Sequence, residues 1–426
     1  MRIRFAGIVL VMIMLTTGCN NAGIIENENE VPSLEEQPVK TVVIWHTYSD
    51  EETRVFESEV IPAFEAEFPN IHIESVRQAH NQEYQTALMA RASADKTPDV
   101  IRMDYTWVPR FAHHGLLYPL DLFSDYKEAA AELRSRMLDT NRYGEHIYGL
   151  PLNMNTKAAI YNRMLLREAG ITEPPDSLSE VIQLAREHHY TIGMSGLELW
   201  NSLPYFFGLG GHFADESFSM TDGYLNSEES IQAVQALLDL YDEGILNPDL
   251  IEGSGDLWTA VYSSKRTLMI DEGPWYYSIL LNSSSLKVDI LRQTHPVPFP
   301  SGGDYESIIG GESLVLTKGS KVKEEAWTFI RWMMQKETQR KLFKTGLIPT
   351  NMEAFQGGNG GGGGAENQYI EAYINGIEEA FYRPALPRWN EIELIYNEMM
   401  EDVFLNERDV KEALDEASSL IDALIE

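Results

Sequence analysis

Cysteine is almost absent: Cys19 is the only one in 426 residues. No internal disulfide can form, and everything after residue 19 lacks a thiol for nucleophilic catalysis. Basic residues are scarce too, 33 against 66 acidic ones, for a formal net charge of −33. A surface that negative repels phosphate backbones, so nucleic acid is excluded as a natural partner. The apolar run from Phe5 to Leu15 falls short of the ~20 residues that a membrane-spanning helix needs. There is no Gly-x-Ser-x-Gly elbow, no P-loop and no His-Glu-x-x-His. His113-His114 and His188-His189 are adjacent pairs whose side chains diverge on a helix, so no metal site is expected, and no cofactor. A carboxylate pair of the glycosidase kind could hide among so many acidic residues, and composition does not decide that point.

What is present begins at the N-terminus. Arg2 and Arg4 precede the apolar run, and small residues precede Cys19 in "LTTGC". This pattern is that of a secretory signal peptide over residues 1–18, with Cys19 as the lipid-attachment site after cleavage. An ordinary signal peptide with a chance cysteine is the competing reading. Residues 19–38 are polar, acidic and Pro-containing, as expected of a flexible tether. Cell-membrane attachment on the extracytoplasmic face follows from that reading.

The remaining length is enough for a large core and suggests two domains. "TVVIWHT" (41–47) reads as a buried strand. Ser49 with Glu52 fits a capping box, and Phe56, Val60, Phe64 and Phe68 recur along one helix face, with Pro62 expected to bend it. "IHIESV" and "TPDVIRMD" read as further strands, with a helical stretch between them. The alternation predicts an α/β fold with a largely parallel sheet. Ligands of such sheets bind beyond the carboxyl ends of the strands, which singles out His46 to Asp50 and Met103 to Trp107. Residues 228–243 form a predicted helix with Ile231, Val234, Leu238 and Tyr241 on one face. Residues 322–343 form a second predicted long helix. The run from Gly357 through Gly364 reads as a loop.

Aromatic residues make up 10% of the chain and gather beside turn residues, in "IWHTYSD", "DYTWVPRF", "LELWNSLPYFF", "DEGPWYYS" and "LPRWNE". Sugars present flat C–H faces to such rings and hydroxyls to nearby carboxylates and amides. Large rigid rings supply contact area at little cost in side-chain entropy. Core packing is the alternative for each tryptophan. For Trp275, after Gly273-Pro274, a cleft position is expected.

These segments, in this order, resemble the extracellular sugar-binding lipoproteins that serve ABC importers, relatives of maltose-binding protein. The resemblance is carried by "VVIWHTYSD", "TPDVIRMDYTWVPRFAHHGLLYPL", "YGLPLNMNTKAAIYNRMLLREAGI", "LMIDEGPWYYS", "KGSKVKEEAWTFIRWMM" and "TGLIPT". It implies two α/β lobes, each a sheet flanked by helices, roughly residues 39–152 plus 305–349 and residues 153–304 plus 350–426. Hinge crossings would lie near Pro151–Lys157, Pro300–Tyr305 and Pro349-Thr350.

Carried over position by position, the resemblance implies ligand contacts at Thr47, Ser49 and Asp50 in the first polar loop, and at Asp104, Tyr105 and Trp107 in the second. Asn155 stands at a hinge-side position where the family has a carboxylate. Glu198 and Trp200 match a Glu-x-aromatic pair, and Trp275 matches the stacking tryptophan. Glu312 and Trp389 follow by placement. Met103, Thr106 and Trp107 depart from maltose-binding protein, so the first-lobe half of the site is rewritten and maltose itself is in doubt. The implied function is oligosaccharide capture without catalysis, by a monomer that delivers its ligand to membrane permease subunits. A cell-surface glycosidase or lyase and a sugar-sensing lipoprotein are the alternatives.

Overall fold

The computed structural model describes residues 38–79, 82–92, 96–252, 256–282, 289–300, 302–355 and 365–425. The expected signal peptide, Cys19, all of the tether but its last residue, and the glycine run 357–364 lie outside the described residues.

Two sheets organise the body. The first has six strands in the order Ile348–Pro349, Gly149–Thr156, Ile309–Leu316, Val100–Asp104, Lys40–His46, Ile71–Arg77. Its early half is parallel: Lys40–His46 pairs with both Ile71–Arg77 and Val100–Asp104 in that sense. Ile309–Leu316 then runs antiparallel to Val100–Asp104 on one side and to Gly149–Thr156 on the other. The second sheet has four strands in the order Thr294–Pro298, Ala158–Asn162, Thr267–Glu272, Thr191–Gly193. Strands such as Ala158–Asn162 are buried along their whole length, as expected of a sheet covered on both faces.

Lys157 alone separates Gly149–Thr156 in the first sheet from Ala158–Asn162 in the second. The chain therefore crosses between the sheets in one nearly continuous extended run. It returns between Pro298 and Ile309, and Ile308 bridges Phe381 beside that return. Each sheet has its own core. Phe56, Phe64, Phe329 and Ile330 pack around the first, and Phe206, Phe213, Trp389 and Tyr396 lie in the core beside the second.

The capping box forms as the sequence predicts: Ser49 Oγ accepts from Glu52 N, and Glu52 Oε2 accepts from Ser49 N. Pro62 enters at the start of the helix Ile61–Glu67, and the turn before it, Phe56–Val60, widens to π-helical geometry. A proline carries no N–H to give back to the preceding turn, which is the local reason for that widening.

Two expectations need correction. The span 322–343 is two helices, Lys323–Met333 and Lys336–Phe343. The break is held by tertiary bonding: Asn351 Nδ2 donates to Met334 O, and Asn351 N donates to Gln339 Oε1. In the helix Glu228–Asp242 the fully buried stripe is Ser230, Ala233, Val234, Leu237 and Leu240, whereas Ile231, Leu238 and Tyr241 flank it. The stripe runs through Ser230 and Ala233 as well as Val234, Leu237 and Leu240, so its axis is turned from the face that Ile231, Leu238 and Tyr241 mark.

Candidate functional site

Where the chain crosses between the sheets it leaves a cavity of about 490 Å³. That size lies within the range of small-molecule pockets, roughly 300–1,000 Å³. Its walls come from both sides. Thr47 follows the first strand, Asp104 ends the third, and Thr106 and Trp107 lie in the short helical turn Tyr105–Trp107 just beyond. These are carboxyl ends of parallel strands, the usual place for a ligand in such a sheet. Asn155, Gly310, Gly311 and Glu312 form the floor on the crossing strands. Glu198, Leu199 and Trp200 open the helix Leu199–Gly208, and Trp275 opens the helix Trp275–Asn282. Arg383, Asn390, Glu393 and Asn397 complete the wall.

A buried guanidinium organises the first wall. Arg102 sits in the strand Val100–Asp104 with 2% of its side chain exposed. It donates to Thr47 Oγ1 (3.1 Å) and Asn153 Oδ1 (3.1 Å), and pairs with Glu312 Oε2 at 2.9 Å. Asn153 Nδ2 donates to the same Glu312 oxygen at 2.6 Å. Burial opposes the Arg102 charge, but Glu312, Tyr48, Glu52 and Asp104 outweigh it and keep the guanidinium above its ordinary value. Asp104 Oδ1 accepts from Thr106 N and Thr106 Oγ1, capping the turn that carries Trp107.

The second wall is aromatic. The rings of Trp200 and Trp275 face each other at 6.4 Å between centroids, tilted by 31°. The Trp275 ring lies over Gly273: a Cβ there would come within 2.2 Å of it, so glycine is what admits the ring to this position. Gly310 has the same role opposite, since a Cβ would meet Asn155 Oδ1 at 2.2 Å and the Trp200 ring at 2.9 Å. Beneath Trp200, Lys157 Nζ pairs with the buried Asp271 and donates to Asn201 Oδ1 at 3.0 Å. Asn201 Nδ2 in turn donates to Glu198 Oε2 at 2.9 Å. Leu199 N donates to Asn397 Oδ1 at 2.7 Å, which ties the start of this helix to the late helix Trp389–Leu405.

Arg383 joins the two sides. Its Nη2 faces Asp104 Oδ2 at 3.5 Å, its Nη1 donates to Glu393 Oε1 at 3.0 Å, and its Nε donates to the Tyr105 hydroxyl at 3.2 Å. Burial alone would lower its pKa; Tyr105, Asp104 and Glu393 more than reverse that and raise it. Its guanidinium also lies 5.7 Å from the Trp200 ring centre.

Of the residues expected from sequence, Thr47, Asp104, Trp107, Asn155, Glu198, Trp200, Trp275 and Glu312 line this cavity. Ser49 lines an adjoining recess of about 650 Å³ that shares Thr47, Asn155, Trp275 and Glu312 with it. Three expectations are corrected. Asp50 is 95% exposed at the start of the helix Asp50–Val55 and pairs with Arg77 outside the cavity. Tyr105 is buried behind it, its hydroxyl donating to Ile309 O at 3.0 Å. Trp389 is fully buried among Phe213, Phe218 and Phe381, and its Nε1 donates to Glu393 Oε1 at 2.6 Å. The last two position the wall from behind.

Sequence reading missed Arg102, Arg383, Asn390, Glu393 and Asn397. A signal existed for some. Arg102 is a lone charge inside an apolar strand, and such a charge needs a partner. Asn390, Glu393 and Asn397 recur at three- and four-residue steps, one polar stripe on a helix. Arg383 offers no local pattern. Among the described residues, no group of three His, Cys, Asp or Glu side chains is placed to hold a metal ion. Among the same residues, no helix is long and apolar enough to cross a membrane.

The comparisons agree with this geometry. The family described as bacterial extracellular solute-binding protein matches residues 59–360. A maltotriose-binding protein of Pyrococcus abyssi is 22% identical over 392 residues, covering 85% of this chain and 78% of that protein. A galactooligosaccharide-binding protein of Bacillus subtilis is 22% identical over 394 residues, covering 88% and 87%. The GacH receptor of Streptomyces glaucescens, solved unliganded and with acarbose, shares the fold with a TM-score of 0.77 at 23% identity, over 91% of this chain and 98% of that one. Two lobes built around two sheets, a polar and aromatic cavity where the chain crosses between them, and a family match over most of the body lead to one assignment: the chain belongs to the bacterial extracellular solute-binding proteins.

Proposed function

We propose that this protein captures oligosaccharides outside the cell and delivers them to the permease subunits of an ABC importer, without chemically altering them. The observation that carries the reading is the tilted pair Trp200 and Trp275 facing a cavity otherwise walled by carboxylates and amides. Aromatic faces suit the C–H faces of sugar rings, and carboxylates and amides suit their hydroxyls. The names of the two curated relatives, binders of maltotriose and of galactooligosaccharides, support the same ligand class.

In this reading the lobes are residues 39–152 plus 305–349 and residues 153–304 plus 350–426. They hinge near Pro151–Lys157, near Pro300–Tyr305 and at Pro349-Thr350. A sugar that touches both walls favours the closed arrangement, and closure is a shift of population toward it. Thr47, Asp104, Trp107, Asn155, Glu198, Trp200, Trp275 and Glu312 are the proposed contacts, with Ser49 serving the adjoining recess. Cys19 carries the lipid, residues 19–38 form the tether, and the protein works as a monomer on the outer face of the cell membrane.

A thermal-shift screen against oligosaccharides tests the reading, because a ligand that binds only the folded state raises the melting temperature. At least one oligosaccharide should raise it and be recovered intact. Hydrolysis of that ligand would point instead to an enzyme. Cys19→Ser should release the protein into the medium, or leave it unprocessed, with its melting temperature unchanged; mature-sized protein still on the membrane would count against lipid attachment.

A further inference from the structure

The charges around the cavity are unbalanced. Four carboxylates line it, Asp104, Glu198, Glu312 and Glu393, against one guanidinium, Arg383. The wall carries a formal charge of −3, and still −2 when Arg102 behind Glu312 is added. Both guanidiniums are buried, with 7% and 2% of their side chains exposed, and both are committed to protein partners. Neither can turn toward a ligand anion without abandoning a partly buried carboxylate, and that exchange is costly to a buried guanidinium. Arg77, in the adjoining recess, faces Asp50.

Three of the four carboxylates are in ion pairs: Asp104 and Glu393 with Arg383, Glu312 with Arg102. Glu198 differs. Among the described residues its carboxylate pairs with no cation, and its bond is to the neutral amide of Asn201. The carboxylate folds back over Gly196, where a Cβ would come within 2.2 Å of Oε2. Glu198 itself is exposed, immediately before Leu199 and Trp200 on the aromatic wall. The cavity thus presents an uncompensated anion beside a stacking ring.

We propose that Glu198 sets the charge specificity of the site: the cavity takes sugars bearing a protonated amine in preference to their neutral counterparts, and rejects uronates. This inference rests on the reading of the cavity as a sugar site. The physical basis is that a hydrogen bond from an ammonium to a carboxylate is stronger than one from a hydroxyl, whereas two carboxylates repel. The group is exposed, so solvent screens it and the effect is moderate.

The test uses glucose trimers, α-1,4- and β-1,4-linked, in which one ring is glucose, glucosamine or glucuronate. Affinities are measured by calorimetry at low and at high salt. For the linkage that binds, the amine form should bind about three- to tenfold tighter than the neutral form, and the glucuronate form at least about tenfold weaker. High salt should shrink both gaps. Glu198→Gln, with an unchanged melting curve, should bring the amine and neutral forms together. A glucuronate trimer bound as tightly as the amine form would overturn the proposal. So would an amine preference that survives Glu198→Gln. If another oligosaccharide of the thermal-shift screen binds and the glucose trimers do not, its amine and uronate forms take their place; if no oligosaccharide at all binds the folded protein, the sugar reading itself fails and this inference falls with it.

Discussion

The two walls of the cavity are built by opposite means. The first is electrostatic: Arg102, buried and bonded on several sides, holds Thr47, Asn153 and Glu312 in place, and Arg383 faces Asp104. The second is steric: Trp200 and Trp275 are seated by glycines that leave room for their rings, and by a helix start tied down at Leu199. A wall held by a buried charge resists change until the charge is removed, and then fails as a unit. A wall of rings seated over glycine can lose one ring and keep its fold. The difference says where stability and where affinity should reside.

Substitutions can break that contrast, and the largest effect is expected on the first wall. Arg102→Met leaves Glu312 without its cation and Thr47 and Asn153 without a donor. Breaking a buried pair in this way costs about 3–5 kcal/mol of stability, read as a lowered melting temperature and denaturation midpoint. A change below about 1 kcal/mol would mean that Arg102 does not organise this wall. On the second wall, Asn397→Ala removes the acceptor for Leu199 N and should cost about 1–2 kcal/mol of stability. It should also weaken ligand binding, because the helix start that carries Trp200 is no longer fixed. Unchanged affinity would uncouple the late helix from the aromatic wall. The smallest effect is expected at Ser49, whose capping bond to Glu52 N is long at 3.4 Å. Ser49→Ala should cost about 0.5–1 kcal/mol in chemical denaturation and change affinity little. A large affinity loss would show that the ligand reaches well into the adjoining recess that Ser49 lines.

The same division explains what could be read from the sequence. The first wall lies at the ends of β-branched and apolar strands, where local pattern and the rule for parallel sheets agree, so Thr47 and Asp104 were legible. The capping box at Ser49 and Glu52 was legible because it is purely local. Trp200 and Trp275 were flagged by neighbouring turn residues. The rest depends on contacts distant in the chain. Arg383 meets Asp104 across about two thirds of the chain, and nothing in "FYRPALP" signals it. Trp389 has the same flanking polar residues as a cleft tryptophan, yet its ring turns into the core while Asn390 and Glu393 face the cavity. The helix break at Met334-Gln335 is held by Asn351, so no local propensity marks it.

Calorimetry on Trp275→Ala beside its melting curve asks whether the aromatic wall binds the ligand without holding up the fold. Stability should change by no more than about 1 kcal/mol. Affinity for the oligosaccharide that stabilises the parent protein should fall by roughly 1–3 kcal/mol, on the scale of a single stacked ring. Unchanged affinity, or a stability loss of about 3–5 kcal/mol as for a core tryptophan, would contradict that role for the wall.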